Sequence, residues 1–259
     1  MGGSNRRRQQ RPSASRGAAP TPSSGAPKPA WRETFNAWGG YPIFITLVVA
    51  LIFVAGLIYM NRPGVTAGSA AYQPTTRAQV NGRTAGNPDA SVKLIEFADF
   101  QCPFCKRFAD DGGKKLLEEF VNKGTVSLQF VSFAFLGEES RRAAEAAECA
   151  ADQGRFWDYH DLLYLRQGAE NSKVFSAGNL KRFAAELKTH FSDFDTGKFV
   201  RCLDDGAKRA TVEQQTKQAS DAGVKSTPSF LINGVPMSGV QPIETLRQAI
   251  EAAQKAAAK

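Results

Sequence analysis

The sequence predicts an α/β domain whose sheet is interrupted by a long helical stretch, preceded by a disordered basic tail and one transmembrane helix. Three observations point there. The apolar, partly β-branched run Val92-Lys93-Leu94-Ile95-Glu96-Phe97 leads into a helical pattern and then into a second strand-like run at 126–133, the order of a βαβ unit. Between 135 and 222 helical spacing recurs without a convincing strand. From 35 to 60 no charged residue occurs, and the apolar core of that stretch is about the length that crosses a bilayer.

Composition bounds the rest. The 259 residues, 42% hydrophobic and 22% charged, hold one globular domain of ordinary size plus appendages. Of the 33 basic and 25 acidic residues, ten and one lie in 1–84, which leaves 23 against 24 in the remainder. The net charge of +8 therefore belongs to the N-terminal region, and a nucleic-acid reading of the domain has no electrostatic footing.

Taken in order, residues 1–34 are rich in Arg, Pro, Ser, Gly and Ala and too poor in large apolar side chains to offset the entropy of ordering, so they read as a disordered tail. Residues 35–60 read as a signal-anchor helix with Trp38, Tyr41 and Tyr59 near its ends. Seven Lys/Arg precede it and three follow closely, so the positive-inside rule keeps the N-terminus cytoplasmic and delivers the domain outside. A cleaved signal peptide is the alternative, with small residues at Ser69-Ala70-Ala71, but the apolar core is longer than a signal requires. Residues 61–84, punctuated by Pro63, Gly64, Gly68, Pro74 and Gly82, read as an irregular tether.

The folded domain is expected over 85–259. Its first strand, 92–97, runs into Asp99-Phe100-Gln101-Cys102-Pro103-Phe104-Cys105, and Phe108, Leu116, Leu117 and Phe120 continue at roughly helical spacing to about 121. Cys102 thus falls at a helix start, where unpaired N–H groups and the macrodipole favour an anion. In such settings a thiol pKa drops from about 8.5 to between about 3.5 and 7.5. Pro103 suits the first helical position. The spacing lets two sulfurs bridge, Cys102 near the surface and Cys105 further in, which points to thiol–disulfide exchange. Half a zinc site or an inert structural bridge is the alternative; no second CxxC or His pair accompanies it, so no metal is expected.

The helical region carries candidate helices at 138–151, 156–165, 180–190 and 196–220. Its histidines, His160 and His190, read as packing residues rather than bases. Beyond it, Thr227-Pro228-Ser229-Phe230-Leu231-Ile232-Asn233-Gly234-Val235-Pro236-Met237 carries a hairpin with an Asn-Gly turn, and a closing helix spans 243–258.

Asn87-Pro88-Asp89-Ala90, the block from Glu96 to Cys105 and Thr227-Pro228 resemble the DsbA-like branch of the thioredoxin superfamily, in particular its membrane-anchored bacterial members, over about 86–259. The resemblance implies a thioredoxin-like fold in which 135–222 is a helical insertion. It implies a protein dithiol–disulfide oxidoreductase needing no cofactor, whose substrates are exported protein thiols and whose reoxidising partner is a quinone-linked DsbB-like or VKOR-like membrane protein. It assigns catalysis to Cys102 and Cys105, makes Pro228 cis and facing them, and leaves the Thr227 backbone for an extended substrate beside Pro103 and Phe104. It makes Glu96 a buried acid serving Cys105; a strand-end Glu reaching solvent is the alternative. Some relatives carry a second bridge, which here would join Cys149 and Cys202, against two separately buried thiols. Phe104 stands where the strongest oxidants have His, so a milder oxidant is expected. An extracytoplasmic reductase or isomerase, without the usual dimerisation module, and a membrane-tethered chaperone module are the competing functions.

Overall fold

A computed structural model describes residues 40–60 and 70–258. The expected tail at 1–34, most of the first part of the tether and the possible cleavage site at Ser69 lie outside the described residues. The chain divides into two units, 1–62 and 63–259.

In the first unit, a helix at Gly40–Met60 (α1, 21 residues) coincides with most of the expected span and contains no charged residue. Its described side chains run from Ile43 to Val54 and are all exposed. Among the described residues no helix is long and apolar enough to cross a membrane.

The second unit is built on a five-stranded sheet of order β1-β3-β2-β4-β5, with β1 at Thr84–Ala85, β2 at Val92–Ala98, β3 at Val126–Ser132, β4 at Ser229–Ile232 and β5 at Val235–Ser238. β2 pairs parallel with β3 and antiparallel with β4, so it lies inside the sheet with a neighbour on each side. Its apolar run has the burial such a position demands. Alternation sorts its side chains: Val92, Leu94 and Ala98 join the larger core, while Phe97 joins a smaller one with Val131, Phe133 and Ala219. Glu96 falls on the Leu94 face, in register with Phe130 on one side and Phe230 on the other. The β4–β5 turn is made by Asn233 and Gly234, both at positive φ (48° and 85°), as an Asn-Gly hairpin turn requires.

Between β2 and β3 the expected single helix is two: α2 at Pro103–Asp110 and α3 at Gly112–Leu116, continued by a π-helical turn at Leu117–Val121. The break falls at Asp111 (φ −125°, ψ −74°). Gly112 permits the close approach there, since a Cβ on it would meet the Phe108 ring at 3.0 Å. The insertion contributes α4 at Glu138–Ala151, α5 at Phe156–Arg166, α6 at Ala177–His190, α7 at Thr196–Asp204 and α8 at Arg209–Asp221. The last two were expected as one; the chain breaks where Gly206 takes φ +61°. A disulfide joins Cys149 of α4 to Cys202 of α7. The closing helix α9, Ile243–Ala257, buries Ile243, Leu246 and Ile250 at helical spacing.

The described part of the expected irregular tether, residues 70–83, has little regular structure and lies as a strap against the domain. Tyr72 is buried in the main core and donates to Asp158 at 3.2 Å, and Arg77 donates to both oxygens of Asp161 at 2.8 and 2.7 Å. Arg166 donates to the Ala70 carbonyl, Asn122 to that of Thr76, and the Ala78 N–H to the Asn122 side chain. Composition alone hid this, because the partners lie 84 and 86 positions away.

The Cys149–Cys202 bridge spans 53 positions. A loop of that length predicts that Cys149→Ser with Cys202→Ser lowers stability by about 4 kcal/mol. Urea unfolding of the double variant against the parent measures it, and an unchanged midpoint would show that the bridge adds nothing.

Candidate active site

The site forms where β2 ends. Asp99, just past the strand, accepts hydrogen bonds from the Gln101 N–H (2.8 Å), the Ser140 hydroxyl (2.6 Å) and the N–H groups of Phe135 (3.0 Å) and Leu136 (3.1 Å). Burial raises its pKa and these four donors pull against that rise. The carboxylate ties the turn after β2 to the start of the insertion. From there the chain enters α2 with Cys102 as its N-cap residue and Pro103 in the first turn.

Cys102 donates its thiol to the Thr227 carbonyl at 3.4 Å. Its pKa is lowered from 9.0 to about 6, chiefly by the hydrogen bond from the Cys105 thiol. Thr227 and the backbone N–H groups of Phe104 and Cys105 add to this, against the opposing effect of burial. Cys105 goes the other way: burial first, then the neighbouring sulfur, raises it well above 9.0. One sulfur is thus prepared to ionise and the other to keep its proton. Both cysteines are thiols here.

The Thr227–Pro228 peptide bond is cis, and both residues are buried. The structure therefore brings Cys102, Cys105, Thr227 and Pro228 together, with Pro103 and Phe104 exposed at the rim. Phe104 is 51% exposed and lies under the Arg107 guanidinium at 5.2 Å. Cys102 is more enclosed than the expected near-surface sulfur, at 5% exposed. The Thr227 carbonyl covers its sulfur, and the Gln167 side chain holds the Phe100 and Cys102 carbonyls at 2.6 and 3.1 Å.

Glu96 is 4% exposed rather than reaching solvent. Burial between Phe130 and Phe230 raises its pKa from 4.5 to about 8, opposed by the Arg77 charge. It lines a cavity of about 240 Å³ together with Arg77, Phe108, His160, Asp161 and Tyr164. His160 is buried among aromatic rings, and His190 is exposed, its ring edge-on to Tyr72 at 5.2 Å. Cys149 and Cys202 belong to the insertion. Among the described residues no group of three or more His, Cys, Asp or Glu is placed to hold a metal ion.

Sequence reasoning missed Asp99, Gln167 and Arg77. Asp99 left one signal, an acid two positions before a polar residue at a strand end, which is the pattern of an Asx turn. Gln167 and Arg77 act across long sequence separations and left none.

Comparison with known proteins bears on the family and the fold. Residues 78–252 match the family model described as Thioredoxin. The chain is 30% identical to the "Probable disulfide bond formation protein D" of Bacillus anthracis over 59% of this chain and 70% of that one. It is 28% identical to the "Disulfide bond formation protein D" of Bacillus subtilis over 69% and 78%. The crystal structure of oxidised BdbD from Bacillus subtilis superposes with a TM-score of 0.59 at 24% identity, covering 72% of this chain and 100% of that one, a likeness of fold.

Glu96 keeps its proton to about pH 8 when folded and to about 4.5 when unfolded, so folding takes up a proton between those values. Stability therefore falls as pH rises through that window. Glu96→Gln removes the contribution: in the reduced protein the fall in urea-derived stability becomes shallower by up to about 1.4 kcal/mol per pH unit. Equal slopes in parent and variant would contradict a buried, neutral Glu96.

Proposed function

Because the chain belongs to the thioredoxin family and is a DsbA-like protein thiol–disulfide oxidoreductase, we propose that it introduces disulfides into exported proteins through its Cys-Pro-Phe-Cys motif. The observation that carries this reading is the placement of the two thiols, Cys102 at the start of α2 with its sulfur on the Thr227 carbonyl and Cys105 fully buried behind it, which favours the thiolate at the first and the thiol at the second.

In the oxidised enzyme a substrate thiolate attacks Cys102 Sγ. The Cys102–Cys105 bond breaks, a substrate–Cys102 disulfide forms, and Cys105 leaves as a thiolate that takes a proton from Glu96. A second substrate thiolate then attacks the substrate sulfur and expels Cys102 as a thiolate. Two electrons pass from substrate to enzyme, and stabilising the Cys102 thiolate favours that direction. Phe104 brings no cation to Cys102, and Arg107 lies over the Phe104 ring, so the oxidant is milder than one with an imidazolium in that place. Pro228 has no N–H, and the Thr227 carbonyl, bonded to the Cys102 thiol in the reduced state, is an acceptor for an extended substrate backbone. Pro103 and the exposed Phe104 supply its apolar rim.

The location is extracytoplasmic. A Cys149–Cys202 bridge suits an oxidising compartment, and the uncharged sequence run 35–60 after seven basic residues suits an anchor with the N-terminus inside. A membrane oxidase of the DsbB or VKOR kind then reoxidises the pair.

The test is oxidation of a reduced dithiol peptide by the oxidised full chain. Cys102→Ser abolishes turnover, and Cys105→Ala, which cannot form the redox disulfide, also oxidises no peptide but, mixed instead with the disulfide form of the peptide, captures it as a mixed disulfide on Cys102 with release of one peptide thiol. A Cys102→Ser protein that still oxidises the peptide, or a parent that only reduces disulfides, would overturn the reading.

A further inference from the structure

The Glu96 cavity contains a second titratable side chain for which the disulfide chemistry above has no use. His160 is 5% exposed, and its Nδ1 lies 2.9 Å from Asp161 Oδ1. Asp161 is itself fixed by two guanidinium nitrogens of Arg77 from the strap. A carboxylate held in that way takes the Nδ1 proton as a hydrogen bond and selects the tautomer with an unprotonated Nε2. That Nε2 is buried and has no hydrogen-bond partner in the protein, a costly arrangement for an acceptor. The ring does not turn to relieve it: Phe130, Trp157 and Tyr164 hold it edge-to-face, with centroids at 5.0, 5.0 and 4.9 Å.

His160 and Glu96 line the same cavity of about 240 Å³, room for several waters at about 30 Å³ each. Exposed Gln73, Asp110 and Lys114 also line it, so it reaches solvent between the strap and α2–α3. A fixed proton acceptor therefore stands in a hydratable passage whose inner end is a buried acid.

We propose that His160 is a positioning residue that passes protons between solvent and Glu96 through water in this cavity. The inference rests on the reading of Glu96 as the acid serving Cys105. When Cys105 leaves as a thiolate and takes the Glu96 proton, a proton from solvent reaches Nε2. The resulting imidazolium is paired with Asp161 and gives the proton through a cavity water to the Glu96 carboxylate. One proton thus moves from solvent to Cys105, while the two electrons move from substrate sulfurs to the enzyme disulfide. Burial and Arg77 oppose a lasting charge on His160, and Asp161 favours one. Ionised Glu96 favours it too, with Asp110 and Lys114 of opposite sign at the mouth and the Tyr72 and Tyr164 phenols protonated throughout. The ring is neutral at rest and charged only in passage.

The experiment is stopped-flow oxidation of a reduced dithiol peptide by the full chain, as a function of pH, for the parent, His160→Gln, Glu96→Gln and the double variant. His160→Gln is expected to slow the proton uptake that follows Cys105 departure, read with a pH indicator in the same mixing experiment, on the order of 10-fold at neutral pH, below the roughly 100-fold of a group that transfers the proton directly. Added imidazole restores the rate, and in the Glu96→Gln background the substitution has no further effect. An unchanged pH profile in His160→Gln, or an equal loss with and without Glu96, overturns the inference. Glu96→Gln at the parental rate overturns the Glu96 reading and this inference together, whereas slow Glu96→Gln with normal His160→Gln overturns this one alone. If His160→Gln does not fold, ring-¹⁵N NMR of the parent decides, since the chain has only two histidines. Nε2 unprotonated at neutral pH and shifted by cysteine oxidation supports the relay; a protonated Nε2, or one indifferent to oxidation, overturns it.

Discussion

A negative charge has to be stable on Cys102 Sγ inside a site nearly closed to water, while two other acids within the same fold, Cys105 and Glu96, keep their protons. Burial alone would push all three in one direction, toward the neutral form. What separates them is where donors are supplied. Cys102 receives the Cys105 thiol and the N–H groups of Phe104 and Cys105, and falls to about 6. Glu96 is set between Phe130 and Phe230 and rises to about 8. The chemistry of the domain depends on this division.

The sheet produces it. Since β2 is interior, the even-numbered side chains of its run face the main core, and Glu96 is carried there by alternation with no freedom to turn away. The same strand delivers Cys102 to the N-terminus of α2, six positions on, where backbone N–H groups are unspent. The turn before β4, on the other side of β2, brings the Thr227 carbonyl to the Cys102 sulfur. The insertion closes the remaining side through Asp99, Ser140, Gln167 and the aromatic face of α5.

Much of this was legible in the sequence wherever the signal was local. The run at 92–97, the Cys-Pro-Phe-Cys turn, the Asn233-Gly234 hairpin and the periodic helices of 138–190 all announce themselves within a few residues, because strand alternation, helix starts and positive-φ turns are short-range requirements. The strap was not legible. Tyr72 and Arg77 lie among Pro, Thr and Gln with no periodicity, and what fixes them is Asp158 and Asp161, presented from a helix far along the chain. The break at Asp111 was masked by apolar spacing that ran on past two glycines. His160 reads as a packing residue from its neighbours in sequence. Only the placement of Asp161, Arg77 and Glu96 around it shows an acceptor left without a partner in the protein.

The most direct test of the central claim is the acidity of Cys102 in the reduced full chain, read as the pH dependence of iodoacetamide alkylation, with Cys105→Ala to assign the reacting sulfur. The account predicts a midpoint near pH 6 in the parent, shifted upward when the Cys105 thiol is removed. A midpoint at the value of an ordinary cysteine, about 8.5, unmoved by Cys105→Ala, would contradict it.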